Sequence, residues 1–196
     1  MRKLGVGGAA LVLALAGLGG VPASPANGSP AIAVANTARA AGTARAPFNL
    51  KTISFTGHYQ GKASLLINNG AVTISSVAGT GTGTLLGAST VTGKGSSSAS
   101  AQCDPFTGTG SLTGAKGKIN MTVIESKSTG CSSGQSGPVT VTFTGVAVAK
   151  GGTGTAKGAT GSLNFKGTLN LAGTSGSQDG HYTVTLTGKL KVVAKG

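Results

Sequence analysis

Apolar and polar residues alternate along most of the chain after residue 50, and such alternation predicts β-strands that bury one face. The clearest case lies within residues 151–173, where the apolar positions of one face are Leu163, Phe165, Leu169 and Leu171. The closing segment, residues 181–195, repeats the pattern. Its predicted inward positions are Tyr182, Val184, Leu186, Leu190 and Val192.

Further strands are predicted at residues 50–57, 59–68, 71–78, 85–92, 106–112, 118–126 and 138–150, of which 85–92 is the weakest and 138–150 alternates cleanly. In the last of these the apolar phase reverses at Gly145-Val146, which predicts a β-bulge. Asn69-Gly70 is the best hairpin turn of the chain, and Ser/Gly-rich loops are predicted at residues 93–104 and 127–137. About eight strands without intervening helices predict an all-β fold, a single antiparallel eight-stranded up-and-down barrel. A two-sheet β-sandwich is the alternative.

A glycine-rich segment recurs within the strand region. Residues 108–121 (GTGSLTGAKGKINM) align with residues 152–165 (GTGTAKGATGSLNF), and a weaker third copy begins at Gly81 (GTGTLLGAST). The spacing between the copies is irregular, which argues against a solenoid. Because glycine enters positive φ without a steric penalty, we interpret the copies as one recurring strand–turn–strand unit.

The N-terminal region has a different composition from the rest of the chain. Residues 1–26 are predicted to be a secretory signal peptide, since Arg2 and Lys3 precede the apolar residues 4–21 and small residues follow. Residues 27–47 are rich in Ala and Pro and predict a disordered leader. The barrel domain is then expected at residues 48–196 of a secreted, extracellular protein, without a transmembrane span after signal cleavage.

The chain is glycine-rich and strongly basic, with 36 glycines and a formal net charge of +13. All basic residues after Arg45 are lysines, and the acids are Asp104, Glu125 and Asp179. Such a surface favours anionic partners such as cell-envelope polymers. Alternatively, the lysines keep the barrel soluble and protect its strand edges from pairing. Nucleic-acid binding is not expected, because aromatic residues are few and no arginines cluster.

Cys103 and Cys131 are the only cysteines. Both lie in predicted Ser/Gly loops that flank one pair of strands. An exported protein meets an oxidising environment, so we predict a structural disulfide between them.

Two His-Tyr pairs, His58-Tyr59 and His181-Tyr182, together with Glu125 are the candidate ligand-binding or acid–base residues. Alternatively, both histidines are polar residues of strands whose tyrosines point inward. No catalytic residue, metal site or cofactor is predicted. Nothing in the spacing brings the two histidines and Glu125 together, and the glycine-rich loops lack the ending of a phosphate-binding loop.

Glu125 stands out because it shares a predicted strand face with Ile119, Met121 and Val123. It is expected either inside the barrel, where a buried carboxylate needs a partner or a raised pKa, or at the rim beside a lysine.

The step G-x-G-x-x-x-G-A-T-G-x-L, formed here by Gly152, Gly154, Gly158, Ala159, Thr160, Gly161 and Leu163, resembles small secreted bacterial proteins with an allene-oxide-cyclase-like or dirigent-like barrel. The resemblance implies an eight-stranded antiparallel barrel over residues 48–195. Plant members bind apolar intermediates inside it, but their functional residues match no position here. The Ala- and Gly-rich signal segment suggests a GC-rich bacterium such as an actinobacterium.

These observations predict a secreted, non-enzymatic binding or surface-associated barrel. Its partner would be an anionic envelope polymer outside the barrel or a small apolar ligand inside it. The alternative is an enzyme of the cyclase or isomerase type that acts on a small apolar substrate, with Glu125, His58 or His181 at the barrel mouth.

Overall fold

The computed structural model describes residues 49–194, which form nine β-strands and one turn of 3-10 helix at Glu125–Lys127. The strands are β1 (Leu50–Asn68), β2 (Ala71–Gly83), β3 (Gly87–Ser98), β4 (Cys103–Gly114), β5 (Gly117–Val123), β6 (Thr129–Ser132), β7 (Val139–Gly154), β8 (Thr160–Leu171) and β9 (Gly176–Val193). The predicted signal peptide and leader lie outside the described residues.

The strands form a closed antiparallel barrel. Neighbouring strands pair in the order β3-β2-β1-β9-β8-β7-β5-β4, and the pairing of β3 with β4 closes the ring. The one strand not in this ring, β6, has four residues. It pairs with both β4 and β7 beyond the end of β5. The predicted all-β fold and eight-stranded up-and-down barrel are confirmed. The sandwich alternative is wrong, because the ring of pairings leaves no two separate sheets.

Several predicted strand boundaries were wrong. The two strands expected at residues 50–57 and 59–68 are one strand of 19 residues. Gly57 does not break it, because this glycine pairs with β2 and β9 and the rings of Phe55 and Tyr59 cover it. The predicted Ser/Gly loops are shorter than expected. β3 extends to Ser98, β4 begins at Cys103, and β6 lies within the second loop.

The bulge predicted at Gly145-Val146 is absent from β7, which pairs with β8 without a register shift. Gly145, Ala147 and Ala149 face inward, and Val146 and Val148 face outward. The sequence pattern predicts the wrong phase because it does not show that Phe165 and Ser128 fill the interior beside Gly145 and leave no room for a Cβ there. Small residues are therefore required inside at this level. Register shifts occur instead between residues 64 and 65, 74 and 77, and 119 and 121.

The three glycine-rich copies form the hairpins β2–β3, β4–β5 and β7–β8, whose turns lie at one end of the barrel and plug it. Leu86 and Ala156 of these turns are fully buried. The Thr155 hydroxyl donates to the carbonyl of Leu85 at 2.9 Å and lies 3.1 Å from the carbonyl of Lys116, which links the three turns.

The predicted disulfide is confirmed. Cys103 and Cys131 are cross-strand partners in β4 and β6 and are covalently bonded. The bond attaches the short strand β6 to β4 at the end of the barrel opposite the plug.

Replacing both cysteines, Cys103→Ser with Cys131→Ser, is expected to lower the free energy of unfolding by about 3–4 kcal/mol, because the disulfide restricts the unfolded chain. The bond joins residues 28 positions apart. Urea denaturation measures the change. The control variant Ser96→Ala with Ser136→Ala alters exposed serines and should unfold like the wild type. An unchanged free energy for the cysteine variant would contradict a stabilising role.

Candidate functional site

An apolar cavity of about 620 Å³ lies in the half of the barrel opposite the plug. Its volume is typical of sites that hold small molecules. All eight strands of the ring contribute apolar side chains to its walls. They include Leu65 and Ile67, Val72, Ile74 and Val77, Val91, Phe106, Met121 and Val123, Val141 and Phe143, Leu169 and Leu171, and Tyr182 and Val184. The mouth is polar and is lined by Ser98, Ser100, Gln102, Ser132, Gln135 and Thr174.

The cavity exists because the strands that close the barrel present glycines to its interior. Gly93 pairs with Gly110, and Gly95 pairs with Gly108, across β3 and β4. A Cβ at Gly108 would lie 2.7 Å from the backbone oxygen of Lys94, and one at Gly110 would lie 2.7 Å from that of Thr92. Side chains therefore cannot be accommodated here. The lack of side chains on this part of β3 and β4 leaves the cavity beside them.

Aromatic rings lie over glycines on neighbouring strands elsewhere in the barrel. Phe143 of β7 pairs with Gly167 of β8, and Gly145 pairs in turn with Phe165. The rings occupy the positions that Cβ atoms of these glycines would take. Phe106 packs against both rings, with centroid distances of 6.4 Å and 5.8 Å. These three phenylalanines give the cavity an aromatic wall.

Both predicted tyrosines face the interior, in different environments. The Tyr59 hydroxyl lies 2.9 Å from the Ser89 hydroxyl, which in turn donates to the carbonyl of Gly87. Burial raises the pKa of Tyr59, and the hydrogen bond with Ser89 partly offsets the increase. Tyr182 lines the cavity, and its hydroxyl lies over Gly79. Among the described residues this buried hydroxyl has no hydrogen-bond partner, and burial raises its pKa to about 12.

The other candidate residues lie outside the cavity. His58 and His181 are exposed on the outer face, where the Nδ1 atom of His58 lies 3.1 Å from the Thr185 hydroxyl. Glu125 is also exposed. The expectation that it shares a strand face with Ile119 is wrong, because β5 ends at Val123 and Glu125 begins the 3-10 turn. The structure therefore brings none of these three residues to a common point inside the barrel.

Asp104 is a buried acid at the mouth and is not among the predicted site residues. Its carboxylate accepts hydrogen bonds from the backbone N–H of Ala101 at 3.0 Å and from the hydroxyls of Ser98 and Ser100 at 2.8 Å and 2.9 Å. The Ala101 N–H and then the Ser98 hydroxyl hold the pKa of Asp104 below its usual value. An aspartate that follows several serines was the available signal for such a capped loop.

The described part of the chain has neither a cluster of metal ligands nor a membrane-spanning helix. No three His, Cys, Asp or Glu residues of the range 49–194 are grouped so that they could hold a metal ion. No helix of this range is long and apolar enough to cross a membrane.

Comparisons with protein-family models, with curated proteins and with solved structures found no match. The resemblance to allene-oxide-cyclase-like and dirigent-like barrels therefore stays a prediction. What the cavity does must be inferred from its own chemistry.

Loss of the hydroxyl should affect stability differently at the two tyrosines. Tyr182→Phe removes a buried hydroxyl that has no hydrogen-bond partner among residues 49–194, so it should leave the free energy of unfolding unchanged or raise it. Tyr59→Phe, the matched control, removes a satisfied hydrogen bond and should lower it by about 1 kcal/mol. Urea denaturation measures both changes.

The raised pKa of Tyr182 also predicts that Tyr182→Phe and the wild type differ in how their stability depends on pH. Because burial penalises ionisation of the folded phenol, the wild type loses stability as the pH rises from the unfolded pKa of about 10 through the folded value of about 12. Tyr182→Phe should therefore lose less stability over this range than the wild type. The chain has two tyrosines and no tryptophan, so tyrosinate absorbance reports on them alone. A folded wild-type protein with both tyrosines half ionised near their usual pKa would contradict their burial.

Proposed function

We propose that this chain is an exported, non-enzymatic binding protein that holds a small apolar molecule inside its barrel. The observation that carries the proposal is the cavity of about 620 Å³, with walls of aliphatic and aromatic side chains and a polar mouth at one end. Burying an apolar ligand against such walls is favourable by roughly 25 cal/mol per Å² of apolar surface removed from water.

The chemistry of the lining favours binding over catalysis. Lys94 and Asp104 are the only charged residues among those that line the cavity. The Asp104 carboxylate already accepts three hydrogen bonds from its own loop. A cyclase or isomerase would need an acid or base in contact with its substrate, and Glu125, His58 and His181 do not line the cavity. We therefore prefer a binding role to the enzymatic alternative.

Export is supported by two features. The charged, apolar and small-residue regions of residues 1–26 match a secretory signal in their order. The Cys103–Cys131 disulfide is typical of proteins that work in an oxidising compartment. A leader at residues 27–47 would then separate the cleavage site from the barrel.

Binding to N-phenyl-1-naphthylamine, a neutral apolar dye that fluoresces when removed from water, tests the proposal. The wild-type protein should bind the dye in a saturable manner. Val141→Phe enlarges a side chain that lines the cavity near its mouth. The added ring occupies ligand volume, so the dye affinity should fall by about tenfold or more, equivalent to about 1.4 kcal/mol.

Val146→Phe is the matched control, because it makes the same substitution on the outward face of the same strand. It should bind the dye like the wild type. Equal affinities of all three proteins would contradict a binding site in the cavity, as would a lack of saturable binding by the folded wild type. Thermal unfolding of each variant shows that it is folded at the temperature used.

A further inference from the structure

Charge is unevenly distributed over the outside of the barrel. Of the three acids in the chain, Asp104 lies at the mouth, Asp179 accepts a hydrogen bond from Ser64 near the mouth, and Glu125 lies in the 3-10 turn. Many of the lysines lie nearer the plugged end, in turns or in the halves of strands that lead to it. These are Lys51, Lys116, Lys118, Lys150, Lys157, Lys189 and Lys191.

A shallow outer groove of about 510 Å³ extends from Ser75 of β2 across β3, β4 and β5 to β7. Three exposed lysines surround it, Lys94 on β3, Lys118 on β5 and Lys150 on β7. The remaining polar lining consists of Ser75, Thr92, Thr109, Ser111, Asn120 and Thr122. We call these nine residues the lysine groove. None of the three acids lines it.

The positive charge continues around the barrel from one edge of the lysine groove. Lys150 pairs with Thr160 of β8, which pairs with Lys191 of β9. Two strand spacings, about 10 Å, separate the two lysines. Lys189 lies two residues before Lys191 on the same exposed face of β9 and pairs with Ser162 of β8. The lysines therefore form a band that is longer than a single phosphate ion.

We propose that the lysine groove and this band bind a flexible linear phosphate polymer. Lysine ammonium groups act as point charges and bind phosphate without the fixed geometry that arginine requires. Hydroxyl and amide groups between the lysines can donate further hydrogen bonds to phosphate oxygens. A polymer would neutralise neighbouring cations that no acid of the groove neutralises. The groove lies on the outer face of the wall whose inner face lines the cavity, because the exposed Lys94 alternates with the inward-facing Gly93 and Gly95. Polymer binding there does not depend on an apolar ligand.

Two other polyanionic partners fit the described surface less well. A single-stranded nucleic acid needs aromatic rings on which its bases stack, but the aromatic side chains within residues 49–194 face the barrel interior. A lipid surface favours apolar residues that insert between head groups, but the exposed large hydrophobic residues Leu50 and Leu66 do not line the groove.

Binding of long-chain inorganic polyphosphate to the full barrel, measured by calorimetry in about 0.1 M salt, tests the proposal. The variant Lys94→Gln, Lys118→Gln and Lys150→Gln removes the three groove charges. The control variant Lys62→Gln, Lys127→Gln and Lys166→Gln removes three exposed lysines that do not line the groove. Both variants have the same net charge, so a difference between them reports location rather than total charge.

The affinity of the groove variant should be lower by about tenfold or more. The slope of its log affinity against log salt concentration should be shallower by about 2–3 than that of the wild type. The control variant should bind within about threefold of the wild type. Equal losses in both variants, or wild-type affinity in the groove variant, would overturn the proposal. So would preferential binding of phosphatidylglycerol vesicles or of a single-stranded oligonucleotide over polyphosphate. An unchanged thermal unfolding transition shows that each variant is folded.

Discussion

The rest of the structure depends on how β3 and β4 approach each other, because this pairing closes the barrel. Its inward positions include two cross-strand glycine pairs, Gly93 with Gly110 and Gly95 with Gly108. The backbones are so close that a Cβ at these positions would contact the neighbouring backbone. Glycine is therefore required for closure, although each glycine costs roughly 0.5–1 kcal/mol of stability relative to alanine. The same absence of side chains creates the cavity.

The barrel consequently has two unlike halves. In the plugged half, the turns of the three repeat copies and residues such as Leu112, Ile119 and Leu163 form a dense core. In the other half, the wall residues surround open space, and the loop that Asp104 caps and the disulfide hold the mouth. Glycines are compensated by overlying aromatic rings in β7 and β8. No aromatic ring covers the paired glycines of β3 and β4, which explains why the cavity lies beside these two strands.

Long, regular alternation allowed the inward faces of β8 and β9 to be predicted correctly. The Asn69-Gly70 turn was also predictable, since both residues adopt the positive φ values that a type I′ hairpin requires. The phase of β7 was not predictable. Val146 and Val148 are more apolar than Gly145, Ala147 and Ala149, which alternate with them. The space left by Phe165 and Ser128 nevertheless decides which of these residues face inward. Local hydrophobicity does not carry that information.

The candidate site was only partly predictable for a similar reason. Tyr182 was identified and lines the cavity, whereas Glu125 and the histidines were chosen for their chemistry and lie outside it. The cavity depends on the register between β3 and β4, which pairs glycines that the sequence does not mark as partners. The hydrogen bonds of the Asp104 carboxylate depend on the course of a short loop. Both are properties of the assembled barrel rather than of any one segment.

The most direct test of ligand binding inside the barrel is a comparison of the native and denatured masses of the protein exported by its own host. A ligand-binding barrel should have a native mass that exceeds the denatured mass by one small apolar molecule, and Val141→Phe should lose this excess. The denatured mass should also lack two hydrogens relative to the reduced chain, as the disulfide requires. A native mass without any addition, unchanged after incubation with a host extract, would contradict a ligand-binding barrel.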